Sequence, residues 1–246
     1  MSQTLTCPGT LGGRVASTGR NDERAMSTTV NSETRDQIIR AAEELFASRG
    51  IDGVSLREIN RAAGQSNTGA VQYHFGDRDG LVRALIDKHR RDTEPRRHAL
   101  LDQYEEAGNH DLRALAAALV SPMAAKLADP DGGRHYLQVS AEFYSRPPRH
   151  GKRTPILGPD DSILRWHRLL DPLVPAEELA VLHTRYPAIR FAFVELARRA
   201  AADPREDDRL FTSHLTDLVT ALLASEASPQ TKRLLALREQ REAAAN

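Results

Sequence analysis

The sequence predicts an all-α fold. Alanine, leucine, arginine and glutamate dominate the composition, while alternating β-branched runs and Asn-Gly hairpin signals are nearly absent. Apolar residues recur instead at three- and four-residue steps, the period of an amphipathic helix and not of a strand. A chain of 246 residues can bury one large domain, or one small and one medium domain.

Residues 1–30 are rich in Ser, Thr and Gly with few large apolar side chains, a composition that predicts disorder. Met26 opens "MSTTVNSETRDQ" just ahead of the first periodic segment, so residues 1–25 read as an extension from an upstream start. The first helix is expected over 34–49. Thr34 and Gln37 resemble a capping box, Ile38, Ala42, Leu45 and Phe46 share a face, and Gly50 ends it. The second helix begins at Ser55, has Glu58 at the box position, carries Leu56, Ile59 and Ala63, and stops at Gly64. A short third is expected over 67–74, capped by Ser66 or Asn67, with Val71 and Phe75 turned to the first two. The fourth is long, starts near Asp79, and carries Leu81, Leu85, Ile86, Leu100, Leu101 and Tyr104; Pro95 is expected to kink or split it.

Further helices are expected near 110–128, 133–145, 161–171, 176–201 and 207–224. The loop 146–160, "RPPRHGKRTPILGPD", reads as mobile, and the last 20 residues as a fringe helix or a loose tail. The adjacent pairs Glu43-Glu44, Glu105-Glu106 and Glu177-Glu178 read as solvated faces, because neighbours at i, i+1 do not face each other.

A helix, a turn and a short second helix form the helix-turn-helix plan, whose second member enters the major groove of DNA. The residue types suit that task. Thr68, Gly69, Gln72 and Tyr73 are left facing outward. Gln72 can donate and accept at once, as an adenine edge requires. Tyr73, His74 and Arg78 stand where they can reach phosphates. Between residues 31 and 100, 12 Lys/Arg stand against 11 Asp/Glu, so phosphate binding must rest on placement and backbone N–H groups.

"TRDQIIRAAEELFASRGIDGVSLREINRAAG" followed by "AVQYHFGDRDGL" resembles the N-terminal domain of the tetracycline-repressor (TetR) family over about residues 34–86. The resemblance implies a homodimeric, all-α transcriptional regulator. An N-terminal three-helix DNA-binding domain would sit on a larger C-terminal helical domain for ligand binding and dimerisation. Carried over, the DNA-binding positions are Ser55, Asn67, Thr68, Gly69, Gln72, Tyr73, His74 and Arg78. The chain departs from the family pattern at Gln65, where an apolar residue is expected, and its turn is one residue longer. The expected organisation is an extension over 1–30, the DNA-binding domain over 31–80, the effector and dimerisation domain over 81–225, and a tail over 226–246.

In the second domain the candidate effector contacts are Tyr104, Met123, His135, Phe143, Trp166 and His167, each of which also suits an ordinary core position. Leu182, Tyr186, Ile189 and Phe193, then Phe211, Leu215, Leu218 and Leu222, recur at helical spacing and suit a dimer interface. The expected partners are a near-palindromic DNA duplex, a small hydrophobic or amphipathic effector and a second copy of the chain. No cofactor, metal or membrane is expected. The single cysteine, Cys7, and the lack of a signal-peptide pattern point to the cytoplasm. Motifs for metal, nucleotide or nucleophile chemistry are absent, so the enzyme alternative, a helical hydrolase or transferase, has no residues to assign to it.

Overall fold

A computed structural model describes residues 19–67, 69–108, 111–145, 161–174, 185–205 and 207–245, with side chains from Asn31 to Ala243, Arg185 excepted. Thr68, Leu182, the pair Glu177-Glu178 and the loop 146–160 lie outside the described residues. Every regular element among the described residues is helical, and none of these helices is long and apolar enough to cross a membrane.

Helix α1 spans Gly19–Arg49, so it begins 15 residues before the expected Thr34, which lies inside the helix. The expected disorder therefore does not extend over 19–30. Helices α2 (Leu56–Ala62) and α3 (Ala70–Phe75) complete a small headpiece. Its core is Ile38, Ile39, Ala42 and Phe46 of α1, Ile59 of α2, Val71 of α3 and Leu81 and Leu85 of the next helix, all buried. Each of the larger side chains contributes about 1.5–3 kcal/mol by leaving water.

Helix α4 runs unbroken from Arg78 to Ala107, capped by Asp77, whose carboxylate accepts from Gly80 N at 2.7 Å. Pro95 neither splits it nor ends it, because the residue is exposed and so is Arg91, whose carbonyl loses its helical partner to water. At 1.5 Å per residue this rod is about 45 Å long. Its first turns belong to the headpiece core and its last turns to the larger body.

The body is built from α5 (Leu112–Ala124), α6 (Gly133–Ser145), α7 (Ser162–Leu170), α8 (Arg185–Ala201) and α9 (Arg209–Leu223), with short 3-10 turns at Ala125–Ala128 and Asp171–Leu173. α6 packs most extensively on α8, and α5 on α9 and α4. The expected helix 176–201 is described only from Arg185 on. α10 (Pro229–Ala245) is a regular helix with no buried described side chain.

The charged middle of α4 is buried on one side. Arg97 is buried and donates to the Ala118 carbonyl at 3.2 Å and to Ser162 Oγ at 2.8 Å. Glu94 accepts from Ser162 N at 2.9 Å, and Asp161, which caps α7, pairs with Arg90. The start of α7 is thereby fastened to the rod by charge-assisted hydrogen bonds.

Candidate nucleic-acid interface

Ser55 caps the start of α2, and Arg49 at the end of α1 donates to Glu58 Oε1 at 2.9 Å. The Ser55 hydroxyl accepts from Glu58 N at 3.2 Å, while Glu58 Oε2 accepts from Ser55 N at 2.8 Å and from Ser55 Oγ at 2.7 Å. This is the expected capping box. The Ser55 hydroxyl, the Ser55 amide and Arg49 together hold the Glu58 carboxyl down at about 2. The hydroxyl proton of Ser55 is thus committed to Glu58, which fixes Ser55 as a cap.

Gly64 turns the chain after α2 in a left-handed conformation, φ +68°, where a side chain would be strained. Gln65, at the position where an apolar residue was expected, points back across the headpiece. Its Nε2 donates to Gln37 Oε1 at 3.1 Å and to the Ala63 carbonyl at 3.0 Å, so α1 supplies the partner that makes a polar residue fit there.

α3 begins at Ala70, later than expected, and neither Ser66 nor Asn67 caps it through a side chain. The Asn67 carboxamide oxygen accepts from Gly69 N at 2.9 Å, closing a local turn, and the Asn67 carbonyl accepts from Ala70 N at 3.2 Å. The N-cap is Gly69 at φ −93°, an ordinary conformation; a Cβ there would come within 3.3 Å of Asn67 Oδ1. The missing cap comes from α2: buried Asn60 accepts from Val71 N at 3.1 Å through Oδ1. Asn60 was not singled out from the sequence, since nothing in a one-dimensional pattern marks a partner 11 residues away on another helix.

The outward side of α3 carries Gln72 and Tyr73, both exposed, with Tyr73 at 78%. Val71 is buried, and Phe75 lies under the guanidinium of Arg35, 5.4 Å from the ring centroid. His74 packs edge-on to Tyr73 at 5.0 Å and is partly buried. Burial, and then the nearby Arg35 charge, push its pKa below the ordinary value, so it offers a neutral ring near pH 7.

Arg78 is placed differently from expectation. Its Nη1 donates to the Ile51 carbonyl and lies 4.0 Å from Asp52, so it braces the α1–α2 turn against α4. On α2 itself the exposed cations are Arg57 and Arg61, one turn apart. Nothing in the sequence marks them, because a surface arginine on a short helix has no distinguishing pattern.

The candidate effector contacts occupy several settings, with Trp166 and His167 in ring contact at 5.4 Å. Trp166 is fully buried and donates to the Leu115 carbonyl at 2.8 Å; Met123 and Tyr104 are also core. His135 borders a cleft beside Glu43, Asp131 and Gly132. Phe143 meets Tyr144, which meets Phe193 at 4.7 Å, and His167 meets Tyr186 at 5.8 Å. A cavity of about 420 Å³ opens between α5 and α9, and none of the six lines it. Of the dimer candidates, Phe193 and Leu215 are buried inside the subunit, and Ile189, Phe211 and Leu222 are partly buried against its core. Tyr186 and Leu218 face outward, joined by Val194 and Leu210.

A family model described as "Bacterial regulatory proteins, tetR family" matches residues 38–85. The HTH-type transcriptional regulator TtgR of Pseudomonas putida is 46% identical over 55 residues, 22% of this chain and 26% of that protein. The HTH-type transcriptional repressor AcnR of Corynebacterium glutamicum is 37% identical over 54 residues, 22% of this chain and 28% of the relative. The similarity to these relatives is thus confined to under a third of their length. Among solved structures, a gamma-butyrolactone receptor (ArpA like protein) is 20% identical and covers 77% of this chain and 98% of its own, with a TM-score of 0.44. Residues 38–85 coincide with the headpiece from the middle of α1 to the first turns of α4, so it is this N-terminal domain that is similar to the tetR family of bacterial regulatory proteins.

Proposed function

We propose that the protein is a sequence-specific DNA-binding transcriptional regulator, a repressor released from its operator by a small organic effector. The observation that carries the reading is α3: a short helix, held from beneath by Val71 and Asn60, that presents Gln72 and Tyr73 to solvent. The Tyr73 side chain is 78% exposed even with His74 against its ring, which leaves most of it open to a partner. Gln72 reads a base edge, Tyr73 reaches a phosphate, and Arg57 and Arg61 of α2 supply the cations that Arg78 does not.

Two copies act together through α8 and α9. Tyr186 and Val194 on α8 and Leu210 and Leu218 on α9 are large apolar side chains left exposed by the subunit's own core. A two-fold pairing of that face sets the two α3 helices about one DNA turn, ~34 Å, apart and makes the operator a near-palindrome. The effector enters the helical body and favours a spacing of headpieces that does not fit the operator; α4, common to both parts, carries the change. The aromatic contacts of Tyr144 with Phe193 and of His167 with Tyr186 favour an apolar or amphipathic effector.

Selection of bound duplexes from random DNA tests the reading. A two-fold symmetric site is expected. Gln72→Ala should relax preference at one base pair per half-site, by about 1–3 kcal/mol, while Tyr73→Phe should weaken all sequences alike. Enrichment of no sequence, or unchanged affinity in both variants by gel shift, would remove the assigned face.

A further inference from the structure

We infer that Asn60, a buried residue of α2, is the positioning residue that sets where α3 begins and so the selectivity with which DNA is read. The inference rests on the DNA-binding reading above and adds to it a residue that touches no DNA.

The first amides of a helix have no partner within it and must find one. α3 has only six residues, too few to hold its own geometry in water. Its N-cap is glycine, which has no side chain to offer, and the Asn67 side chain is already engaged by Gly69 N. The Val71 amide therefore turns to Asn60 Oδ1, at 3.1 Å in a buried setting. The same residue acts on the other side of the turn, where the Asn60 carbonyl accepts from Gln65 N at 2.9 Å. One residue of α2, 2% exposed, thus holds both the entry to the turn and the exit from it.

Two fixed points spanning the turn define the axial position and the rotation of α3 relative to α2. Gln72 follows Val71 directly, so a slip at Val71 displaces the base-reading side chain. Contacts to phosphate survive such a slip better than contacts to a base edge, which depend on bidentate alignment. Loss of the Asn60 acceptor should consequently erode selectivity more than overall attraction to DNA.

The experiment uses the full chain, the selected operator and a scrambled duplex of equal length, with affinities read by fluorescence anisotropy. Asn60→Ala should lower the operator-to-scrambled affinity ratio by about tenfold or more, with scrambled affinity and its salt slope altered less than about twofold. Asn60→Asp keeps an acceptor at the start of α3 and should hold the ratio within about threefold of wild type. An unchanged ratio in Asn60→Ala overturns the inference, and so does an equal loss in Asn60→Asp. If Asn60→Ala does not fold, the wild-type Val71 amide decides. Slow hydrogen exchange at that amide supports the inference, and exchange as fast as at the exposed turn overturns it. A wild-type chain that does not distinguish operator from scrambled DNA defeats the DNA-binding reading itself, an outcome separate from these.

Discussion

Glu43 is a carboxylate 1% exposed on a helix of the headpiece, and its partners come from α4. Lys88 Nζ donates to both of its oxygens at 3.1 and 3.2 Å, and His89 Nε2 lies 2.8 Å from Oε1. Gly132, at φ +81°, approaches from the turn before α6 so closely that a Cβ there would overlap Glu43 Oε2. Removing the carboxylate takes the nearest acceptor from buried His89 and leaves Lys88 with Asp131 alone, so Glu43→Leu should destabilise the fold by about 2–4 kcal/mol in urea melts. A loss under about 0.5 kcal/mol would mean that the network contributes nothing. His74 gives a second residue-scale expectation. Its pKa is held low first by burial and second by Arg35, so an NMR titration should find a midpoint below that of a free histidine, and Arg35→Gln should move the midpoint up. The sign for stability follows: the unfolded chain binds the proton at a higher pH than the folded one, so this group costs stability as pH falls below about 6.5. Ile38, Ala42 and Phe46 were legible from periodicity alone. Glu43 was not, and the Glu43-Glu44 pair read as a solvated face when only Glu44 is exposed. Adjacency told correctly that the two do not face each other, but it carries no information about a partner 45 residues on.

At the scale of elements, α2 shows how local chemistry decides a boundary. Ser55 and Glu58 are three apart, close the box, and fix the start of the helix where the sequence placed it. Ser55→Ala should cost about 1 kcal/mol, as loss of an N-cap does. The cost should depend on pH in one direction. Glu58 has its folded pKa lowered from 4.5 to about 2, so its contribution is complete above the ordinary carboxylate range and fades as pH falls from there toward 2. The difference between wild-type and Ser55→Ala melting temperatures should therefore be flat from about pH 6 to 8 and shrink in acid. A difference that grows on acidification would contradict the box. α3 and α4 depart from the sequence reading for reasons of context. α3 starts late because its cap is borrowed from another helix, and α4 continues through Pro95 because the lost hydrogen bond faces water and the turns on either side are packed. α1 extends upstream to Gly19 through a Ser/Thr-rich stretch of low helix propensity, an extension that no apolar periodicity announces.

For the whole molecule, the question is how the headpiece is held against the body and where the proposed pairing of two copies would fall. Glu142 of α6 accepts from the Ile51 amide with both carboxylate oxygens, at 2.9 and 3.1 Å, so the body grips the end of α1 directly. With the Glu43–Lys88 contact and the rod of α4, the headpiece has tethers from more than one side: α6 packs on α1, and α4 packs on both α1 and α3. Pairing of subunits is the remaining step. Of the seven large apolar side chains exposed among the described residues, four lie on α8 and α9. Leu218 is the most instructive of them, at 39% exposure between the buried Leu215 and Val219. An aspartate there meets solvent in an isolated subunit and should alter its stability by less than about 0.5 kcal/mol. In a two-fold interface the same aspartate is buried opposite apolar surface, a far larger penalty. Leu218→Asp should therefore leave the helical circular dichroism intact and convert a dimer to a monomer in light scattering at micromolar concentration. Operator affinity should fall together with the dimer, while weak attraction to scrambled DNA persists, because one headpiece reads only half of a palindrome. A Leu218→Asp protein that remains dimeric and binds the operator as wild type does would place the subunit contact on another face and leave the α8–α9 stripe without a role in assembly.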